Sequence, residues 1–315
     1  MRALVCDGGV RVAEVPMPRP AEGEALVRVL SAGVCNTDLE LLRGYMDFKG
    51  VLGHEFVGLV EQCSNPHLMG KRVVGEINCV CHACQYCRME LPRHCLNRSV
   101  LGILNRQGVF AEYVALPEEN LHLVPNSIRD DVAVFAEPTA AAFRILEQVA
   151  VTGTDRIIVL GDGKLGQLVA QVLSLHSKQV VCVGKHPWKL DLLRKLNIAT
   201  ALAEDPIEGG ADIVVEATGS YGGLTRALEL VRPEGVVILK TTAAHPTALE
   251  LSMPVVNEVR IIGSRCGPFR PALEALALGN VEVRPMISET YTLAEGPHAL
   301  ERAASKDVMK VVLHV

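Results

Sequence analysis

Four cysteines recur at short intervals in the first third of the sequence and could together hold a metal ion. Gaps of two, two and seven residues separate Cys81, Cys84, Cys87 and Cys95. Two tight turns followed by a longer return allow four thiolates to converge, so this spacing predicts a closed, structural zinc site. The neighbouring possible ligands are expected to be bystanders; they are Cys79, His82 and His94.

A second set of metal-binding side chains occurs in two short segments. The segment Gly33-Val-Cys35-Asn-Thr37-Asp38 carries a thiol, a hydroxyl and a carboxyl group, and Gly53-His54-Glu55-Phe-Val-Gly58 adds an imidazole and another carboxyl group. Thiolate, imidazole and carboxylate form a suitable set of ligands for a catalytic zinc that keeps one position open. We therefore predict a second zinc, bound by Cys35, His54 and Glu55.

A glycine-rich segment follows a compact apolar stretch at Arg156–Leu160. It reads Gly161-Asp-Gly163-Lys164-Leu165-Gly166 and leads into a run rich in helix-forming residues. Between a strand and a helix, this GxGxxG pattern indicates a dinucleotide site, where the glycines allow a tight turn, close approach of the pyrophosphate and close helix packing. We expect residues 161–166 to contact the cofactor.

The end of the next predicted strand bears on the choice of cofactor. Enzymes that use NAD place an acidic residue there to bind the ribose hydroxyls. This chain has Gly184, followed by Lys185, His186 and Lys189. Because cations favour a 2′-phosphate and a carboxylate repels it, the sequence predicts NADP in preference to NAD. The alternative is that the lysines are solvated residues at the start of a helix.

The order of predicted elements indicates an α/β protein with two domains. The first third has short β segments such as Ala25–Leu30 and Phe56–Val60, broken by Gly and Pro. From Arg156 apolar strands alternate with helices, which is typical of a doubly wound parallel sheet. We predict a zinc-binding domain at 1–140 and 279–315, with its zinc lobe at about 78–97, and a dinucleotide-binding domain inserted at 141–278.

Composition excludes several other classes of protein. The 315 residues are 49% hydrophobic and 21% charged, with a net charge of −5, which gives no reason to expect a nucleic-acid or membrane partner. No apolar run approaches the ~18 residues that span a bilayer. Ten cysteines, five of them between Cys79 and Cys95, favour metal binding over disulfides and a reducing cytoplasm. A zinc ribbon that binds nucleic acid is the alternative that the acidic balance disfavours.

The motifs and their order resemble those of the zinc-containing medium-chain dehydrogenase/reductase superfamily, which includes alcohol, sorbitol, threonine and glucose dehydrogenases. The GxCxTD, GHExxG, four-cysteine and GxGxxG patterns extend the resemblance over nearly the whole chain. It implies a GroES-like catalytic domain and a Rossmann domain, with Cys35 and His54 as catalytic zinc ligands. Glu137 matches a third ligand position, so that either Glu55 or Glu137 completes the site, as in polyol and sugar dehydrogenases.

The resemblance also implies roles for residues around the zinc. Asp38 would orient the zinc-bound imidazole, and Thr37 would accept the proton of the alcohol. Glu40 stands where many relatives carry a proton-relay histidine, and it would either extend the proton path, bind a substrate hydroxyl or remain a solvated surface residue.

Further cofactor contacts follow from the same resemblance. Thr218, Gly219 and Ser264 match strand ends that approach the nicotinamide, and Lys310 is a further candidate for the pyrophosphate.

These expectations describe a cytoplasmic, zinc-dependent alcohol or polyol dehydrogenase that prefers NADP and forms a homodimer or homotetramer. Aldose and amino-alcohol substrates are alternatives on the same scaffold, and a cofactor-binding sensor without turnover is an alternative from another class. The 39–49 segment contains Glu, Arg and Tyr. If it lines the pocket, as we expect, it suits a polar substrate better than a plain alkyl alcohol.

Overall fold

The computed structural model describes residues 1–241 and 251–315, which divide into two compact units. One unit comprises Met1–Glu137 with Met286–Val315, and the other comprises Pro138–Pro285. The second boundary lies seven residues beyond the predicted one at 278. Two hydrogen bonds account for this: the Gln171 side chain donates to the Glu282 carbonyl (3.0 Å) and accepts from the Glu282 N–H (2.7 Å). They attach this segment to the cofactor unit.

The strands, in chain order, are β1 Arg2–Cys6, β2 Val10–Glu14, β3 Glu24–Gly33, β4 Gly50–Val51, β5 Glu55–Gln62, β6 Arg72–Gly75, β7 Asn78–Cys79, β8 Ser99–Val100, β9 Tyr113–Pro117, β10 Leu121–Leu123, β11 Arg156–Leu160, β12 Gln179–Gly184, β13 Ala199–Leu202, β14 Ala211–Glu216, β15 Val231–Leu239, β16 Arg260–Gly263, β17 Ile287–Thr292 and β18 Lys310–His314.

The α-helices are α1 Asn36–Leu42, α2 Gln85–Arg88, α3 Asp130–Ala133, α4 Ala136–Gln148, α5 Lys164–Ser174, α6 Pro187–Arg194, α7 Gly223–Leu230, α8 Ser252–Val256, α9 Phe269–Ala277 and α10 Gly296–Ala303. Short 3₁₀ turns lie at Tyr45–Asp47, Pro92–His94, Glu118–Asn120, Arg284–Met286 and Leu293–Glu295.

The first unit is built around strand β3. Burial alternates along most of β3, as expected for a strand with one face towards a core. It pairs antiparallel with β5, β9 and β18 in a seven-stranded sheet. A three-stranded sheet, β2-β1-β4, and a short β7-β8 pair complete the strand pairing of the described residues in this unit. This is the strand-rich domain that the sequence predicts.

The second unit contains a six-stranded parallel sheet in the order β13-β12-β11-β14-β15-β16. In chain order of its own strands this is 3-2-1-4-5-6, the arrangement of dinucleotide-binding Rossmann folds. Strand β11 is almost wholly buried, because helices cover both faces of such a sheet. The predicted α/β fold class and the predicted alternation of apolar strands with helices from Arg156 onward are confirmed. Strand β13 does not share the apolar pattern of the other strands, since its four residues lack a continuous apolar run.

No helix within residues 1–241 and 251–315 is both long enough and apolar enough to cross a bilayer.

Candidate active site and zinc centres

Strand pairing brings the two catalytic motifs together. In the register of β3 against β5, Gly33 lies opposite Glu55. Residues 34 and 35 leave the end of β3, and His54 immediately precedes β5, so thiol and imidazole reach the same end of the sheet. Strand β18 pairs with the other side of β3, with Val312 opposite Gly33. Three segments distant in sequence therefore converge at one point.

The ligand atoms of Cys35, His54 and Glu55 all lie within 4.8 Å of one another. His54 and Glu55 are buried, and Cys35 is partly exposed. A thiolate, an imidazole and a carboxylate at this spacing fit a zinc that retains an exchangeable position. Glu137, at the start of α4, is not part of this group of three. Its role as a ligand stays a prediction.

Asp38 connects the start of helix α1 to the imidazole. Its Oδ2 accepts the backbone N–H of Cys35 at 2.8 Å, which caps the helix, and its Oδ1 lies 3.3 Å from Nδ1 of His54. Asp38 is fully buried. Burial opposes protonation of the imidazole, but Asp38 and Cys35 outweigh it and raise the pKa of His54 well above its usual value. With Nδ1 facing Asp38, Nε2 is the nitrogen left for a metal, as in carboxylate–histidine–zinc sites.

Glu55 also forms a buried ion pair with Lys310 on β18. Oε2 of Glu55 contacts Nζ of Lys310, and both side chains are at most 2% exposed. The ammonium also lies 5.3 Å from the ring centroid of Phe135, within the range of a cation–π contact. A Cβ at Gly33 would stand 2.6 Å from Oε2 of Glu55 and 2.9 Å from Nζ of Lys310. A side chain at position 33 would therefore collide with the Glu55–Lys310 ion pair, which explains the glycine at this position.

The Glu55 pair changes the interpretation of Lys310. The sequence suggested a pyrophosphate contact, but the structure buries the ammonium beside the candidate zinc ligand. Pairing with a buried carboxylate is the physical reason for the difference, because neither charge could be buried alone. The signal available in the sequence was a lysine at the head of an otherwise apolar strand, Lys-Val-Val-Leu.

Thr37 and Glu40 lie on helix α1 beside the cluster. Oγ1 of Thr37 is 3.8 Å from Sγ of Cys35, so the hydroxyl is near the candidate metal position. Glu40 instead forms an ion pair with Arg43 at 2.6 Å, and its side chain is 42% exposed. A role for Thr37 in proton transfer agrees with its position. The role of Glu40 stays a prediction, since its present partner is a surface arginine.

The four-cysteine lobe has the geometry of a tetrahedral metal cage. Three sulfur–sulfur distances are 3.5 Å (Cys84–Cys87), 3.8 Å (Cys84–Cys95) and 3.5 Å (Cys81–Cys95). Zn–S bonds of about 2.3 Å in a regular tetrahedron place sulfur atoms about 3.8 Å apart. The observed set therefore fits zinc closely, as the sequence spacing predicts.

Backbone hydrogen bonds prepare two of these sulfurs for metal binding. The N–H groups of Ala83 and Cys84 lower the pKa of Cys81 to about 6, and those of Cys87 and Leu96 lower the pKa of Cys84. Thiolates, rather than thiols, bind zinc. His82 lies outside the group and pairs with Glu119 at 2.6 Å, in agreement with its predicted role as a bystander.

The glycine-rich loop of the second unit fits a dinucleotide. It joins β11 to α5, whose N-cap is Gly163, so the helix N-terminus faces the position of a pyrophosphate. A Cβ at Gly163 would meet no atom within 4 Å, which leaves open space at the loop, whereas one at Gly166 would lie 1.9 Å from the Gly161 carbonyl. Lys164 and Leu165 form the first turn of α5 and are partly buried.

The residues after β12 differ among themselves in exposure. Lys185 is exposed, and His186 is partly buried against Asp162. Lys189 is only 8% exposed and lies over the Trp188 ring, and burial lowers its pKa. Lys185 is therefore the most accessible cation of the three predicted cofactor contacts.

Three further predicted cofactor residues lie at the carboxyl ends of β14 and β16. Thr218 donates through its N–H and Oγ1 to Glu216 (2.8 and 2.6 Å), and Gly219 follows it in an exposed turn. Ser264 accepts a hydrogen bond from the buried Lys240 at 2.8 Å. Glu216, the last residue of β14, and Lys240, which follows β15, are not among the predicted cofactor contacts, because each is a single polar residue beside an apolar strand.

Two family models match the chain, and each falls within one unit. The alcohol dehydrogenase GroES-like domain matches residues 21–126, and the zinc-binding dehydrogenase domain matches residues 165–279. Together they cover more than two thirds of the sequence. The chain belongs to the zinc-containing medium-chain dehydrogenase superfamily. The resemblance seen in the motifs is thereby confirmed, and zinc and NAD(P) are the cofactors of this dehydrogenase.

Named relatives of this dehydrogenase cover its full length. A sorbitol dehydrogenase of Halalkalibacterium halodurans is 28% identical over 341 aligned positions, with 99% of each chain covered. An L-threonine 3-dehydrogenase of Bacillus subtilis is 27% identical, with 99% of this chain and 98% of the relative covered. A Sinorhizobium meliloti 1021 protein classed as a zinc-binding dehydrogenase was solved with NADP; it is 26% identical, with a TM-score of 0.91, and 100% and 99% of the two chains are covered.

Zinc content distinguishes the two candidate metal centres. We expect the purified protein to hold two zinc ions per chain, because two separate groups of ligands are present. Cys35→Ser should lower the content to about one ion and leave the fold intact. Cys95→Ser should also remove one ion, but it should lower the melting temperature, since a structural zinc contributes directly to folding. Elemental analysis and thermal unfolding measure both effects.

Cys63→Ser is the matched control for these substitutions. Cys63 lies outside both groups and donates to the Asn65 carbonyl, so this variant should retain both zinc ions. A native protein that contains a single zinc ion per chain would contradict the prediction of two zinc centres.

Removal of Lys310 should destabilise the first unit. In a Cys35→Ser background, which weakens metal binding and keeps the cysteine lobe, Lys310→Met should lower the free energy of unfolding by about 3 to 5 kcal/mol, because it leaves the Glu55 carboxylate buried and unpaired. Adding Glu55→Gln should recover most of the loss. Urea unfolding followed by circular dichroism measures these values.

The exposed Lys306 provides the control for this experiment. Lys306→Met makes the same chemical change without unpairing a buried group and should change stability little. Equal effects of Lys306→Met and Lys310→Met would argue against a buried ion pair.

Proposed function

We propose that this dehydrogenase oxidises polyols, transferring a hydride from a CH–OH group to a nicotinamide. The single observation that carries the proposal is the convergence of the partly exposed Cys35 with the buried His54 and Glu55, with Asp38 behind the imidazole. When bound there, zinc supplies a Lewis acid that lowers the pKa of an alcohol, and NAD(P) accepts the hydride. The protein's own residues hold the reactants and move the proton.

Each surrounding side chain has a distinct part in this proposal. Asp38 orients His54 and fixes its tautomer, and Thr37 accepts the alcohol proton close to Cys35. Lys310 holds Glu55 at the edge of the metal position. Because both partners are buried, this pair limits the directions in which Glu55 can turn. Glu40 is the candidate for carrying the proton onward to solvent, where its side chain is already partly exposed.

A polyol is favoured over a plain alcohol by the carboxylates around the site and by the 39–49 segment. This segment includes Glu40, Arg43 and the exposed Tyr45, which can form hydrogen bonds with several hydroxyls. The similarity to a sorbitol dehydrogenase supports the same class. The similarity to an L-threonine 3-dehydrogenase keeps amino alcohols as the second candidate.

A preference for NADP stays a prediction from the sequence. The exposed Lys185, directly after β12, supports it, because it offers positive charge to a 2′-phosphate. The cysteine composition and the four-cysteine group also support a reducing location such as the cytoplasm.

A substrate panel tests the proposed activity. With NAD and NADP supplied separately, we expect reduced-cofactor absorbance to rise with polyols, and to rise less with simple alcohols, aldoses, hydroxy acids and amino alcohols. Asp38→Asn should lower the rate about 10- to 100-fold, because it removes the carboxylate that orients a metal-binding histidine. Cys63→Ser should retain the native rate, and zinc chelation should abolish it.

Each failure of this experiment has a separate meaning. A preference for simple alcohols would contradict the polyol class, and at least tenfold better efficiency with NAD than with NADP, about 1.4 kcal/mol, would overturn the predicted cofactor preference. Cofactor binding without turnover of any substrate would favour a sensor protein.

We further propose that two copies associate through strand β16, the edge of the parallel sheet. Ile261 on this strand and Val255 and Val256 on the preceding helix are 38%, 71% and 79% exposed. An apolar edge strand is a ready template for pairing with another chain, so a second copy of the same edge would cover both the backbone groups and the apolar side chains.

Substitution at this edge tests the dimer. Val256→Lys should convert a dimer into a monomer in size-exclusion chromatography with light scattering, because burying an unpaired ammonium is costly. Leu278→Lys is the control, since Leu278 is equally exposed (75%) but caps helix α9. If the unsubstituted protein is a monomer at the concentration used for the variants, the proposed dimer is contradicted.

A further inference from the structure

Asp162, between the first two glycines of the nucleotide-binding loop, forms an unusual bridge within the cofactor unit. Its Oδ2 accepts the backbone N–H groups of Lys185 (2.8 Å) and His186 (2.7 Å). Nδ1 of His186 lies 3.0 Å from Oδ2 and 3.2 Å from Oδ1. Asp162 is 7% exposed. The carboxylate therefore crosses from the loop after β11 to the loop after β12.

The bridge occupies the space beside the last residue of β12. A Cβ at Gly184 would stand 2.4 Å from Cβ of Asp162 and 2.5 Å from its Oδ2. Any side chain at position 184 would therefore collide with Asp162. The strand end where NAD-dependent enzymes place an acidic residue carries no side chain here, and a carboxylate reaches the same place from the neighbouring loop.

We propose that Asp162 is the residue that recognises the adenosine ribose and selects against a 2′-phosphate. This rests on the proposed function, since it assigns a specificity determinant within the cofactor site of that dehydrogenase. Oδ2 accepts from two backbone donors and also contacts the His186 imidazole, whereas among the described residues Oδ1 contacts that imidazole alone and has lone-pair capacity for a ribose hydroxyl. An ionised carboxylate only accepts hydrogen bonds, so it repels a phosphate at the same position.

Asp162 and Lys185 thus act in opposite directions on the choice of cofactor. Lys185 is exposed and attracts a 2′-phosphate, while Asp162 repels it and also occupies the two backbone N–H groups that a phosphate could otherwise use. The native preference is the balance of the two. Substituting Asp162 therefore measures its own contribution to the cofactor preference, whichever cofactor the native enzyme prefers.

Asp162→Asn is the primary test. The amide keeps the size of the side chain and an oxygen for the backbone N–H groups, and it removes the negative charge. Calorimetry with adenosine 5′-monophosphate and adenosine 2′,5′-bisphosphate, which differ only in the 2′-phosphate, measures the adenosine half of the site, and fluorescence titration with NADH and NADPH measures the complete cofactors. We expect the ratio of the two dissociation constants to shift at least tenfold towards the 2′-phosphorylated compound, about 1.4 kcal/mol.

Two further variants separate recognition from a change in charge or fold. Glu229→Gln removes an equal charge from an exposed Glu229–Arg226 pair on α7 and should leave the ratio unchanged. Asp162→Gly together with Gly184→Asp moves the carboxylate to the strand end, where the collision no longer exists. This double variant should return the ratio towards the native value, whereas Asp162→Gly alone should resemble Asp162→Asn. Circular dichroism confirms that each variant is folded.

An outcome that contradicts the role of Asp162 can be distinguished from one that contradicts the proposed function. If Asp162→Asn weakens both nucleotides equally or leaves the ratio unchanged, Asp162 only shapes the loop and the inference is overturned while the dehydrogenase assignment stands. If the native protein binds neither nucleotide, the proposed function fails and the inference fails with it.

Discussion

A charge buried away from water must be paired, and this constraint organises the zinc-binding unit. Asp38, Glu55 and Lys310 are each at most 2% exposed. Leaving any one of them alone would cost several kcal/mol, so each contacts a group of opposite charge or a donor. Glu55 lies between Lys310 and the candidate metal position, and Asp38 lies between the helix α1 N-terminus and His54. The positions of the candidate ligands follow from these pairs, which also require Gly33 to lack a side chain.

The same constraint operates in the cofactor unit, with backbone groups as partners. Asp162 is paired by two N–H groups and an imidazole, and Lys240 is paired by Ser264 and the Ala141 carbonyl. Gly184 has the role that Gly33 has in the first unit, because it leaves room for a carboxylate supplied by another segment. Charged groups at the carboxyl ends of parallel strands are thereby held in place before any cofactor binds, which reduces the ordering that binding requires.

Sulfur serves two different purposes in the first unit. In the lobe, four thiols lie at the spacing of a closed tetrahedron, so a zinc there has no open position and can only stabilise the fold. At Cys35 a single thiol meets an imidazole and a carboxylate, which leaves room for an exchangeable ligand. Chemistry and stability are thus assigned to different metal centres.

The sequence alone was enough to predict the four-cysteine site, the glycine-rich turn, the apolar parallel strands and the two catalytic motifs. Each of these features depends on residues that are near one another in the chain. Only the tertiary structure decided which distant groups meet. Lys310 lies 255 residues from Glu55, and it reaches that carboxylate because β18 and β5 both pair with β3. Asp162 reaches Gly184 through the pairing of β11 with β12, while packing buries Lys189, which the sequence suggested as a cofactor contact. Sequence spacing reports local geometry, whereas the partner of a buried charge is set by strand register, which brings together residues far apart in the chain.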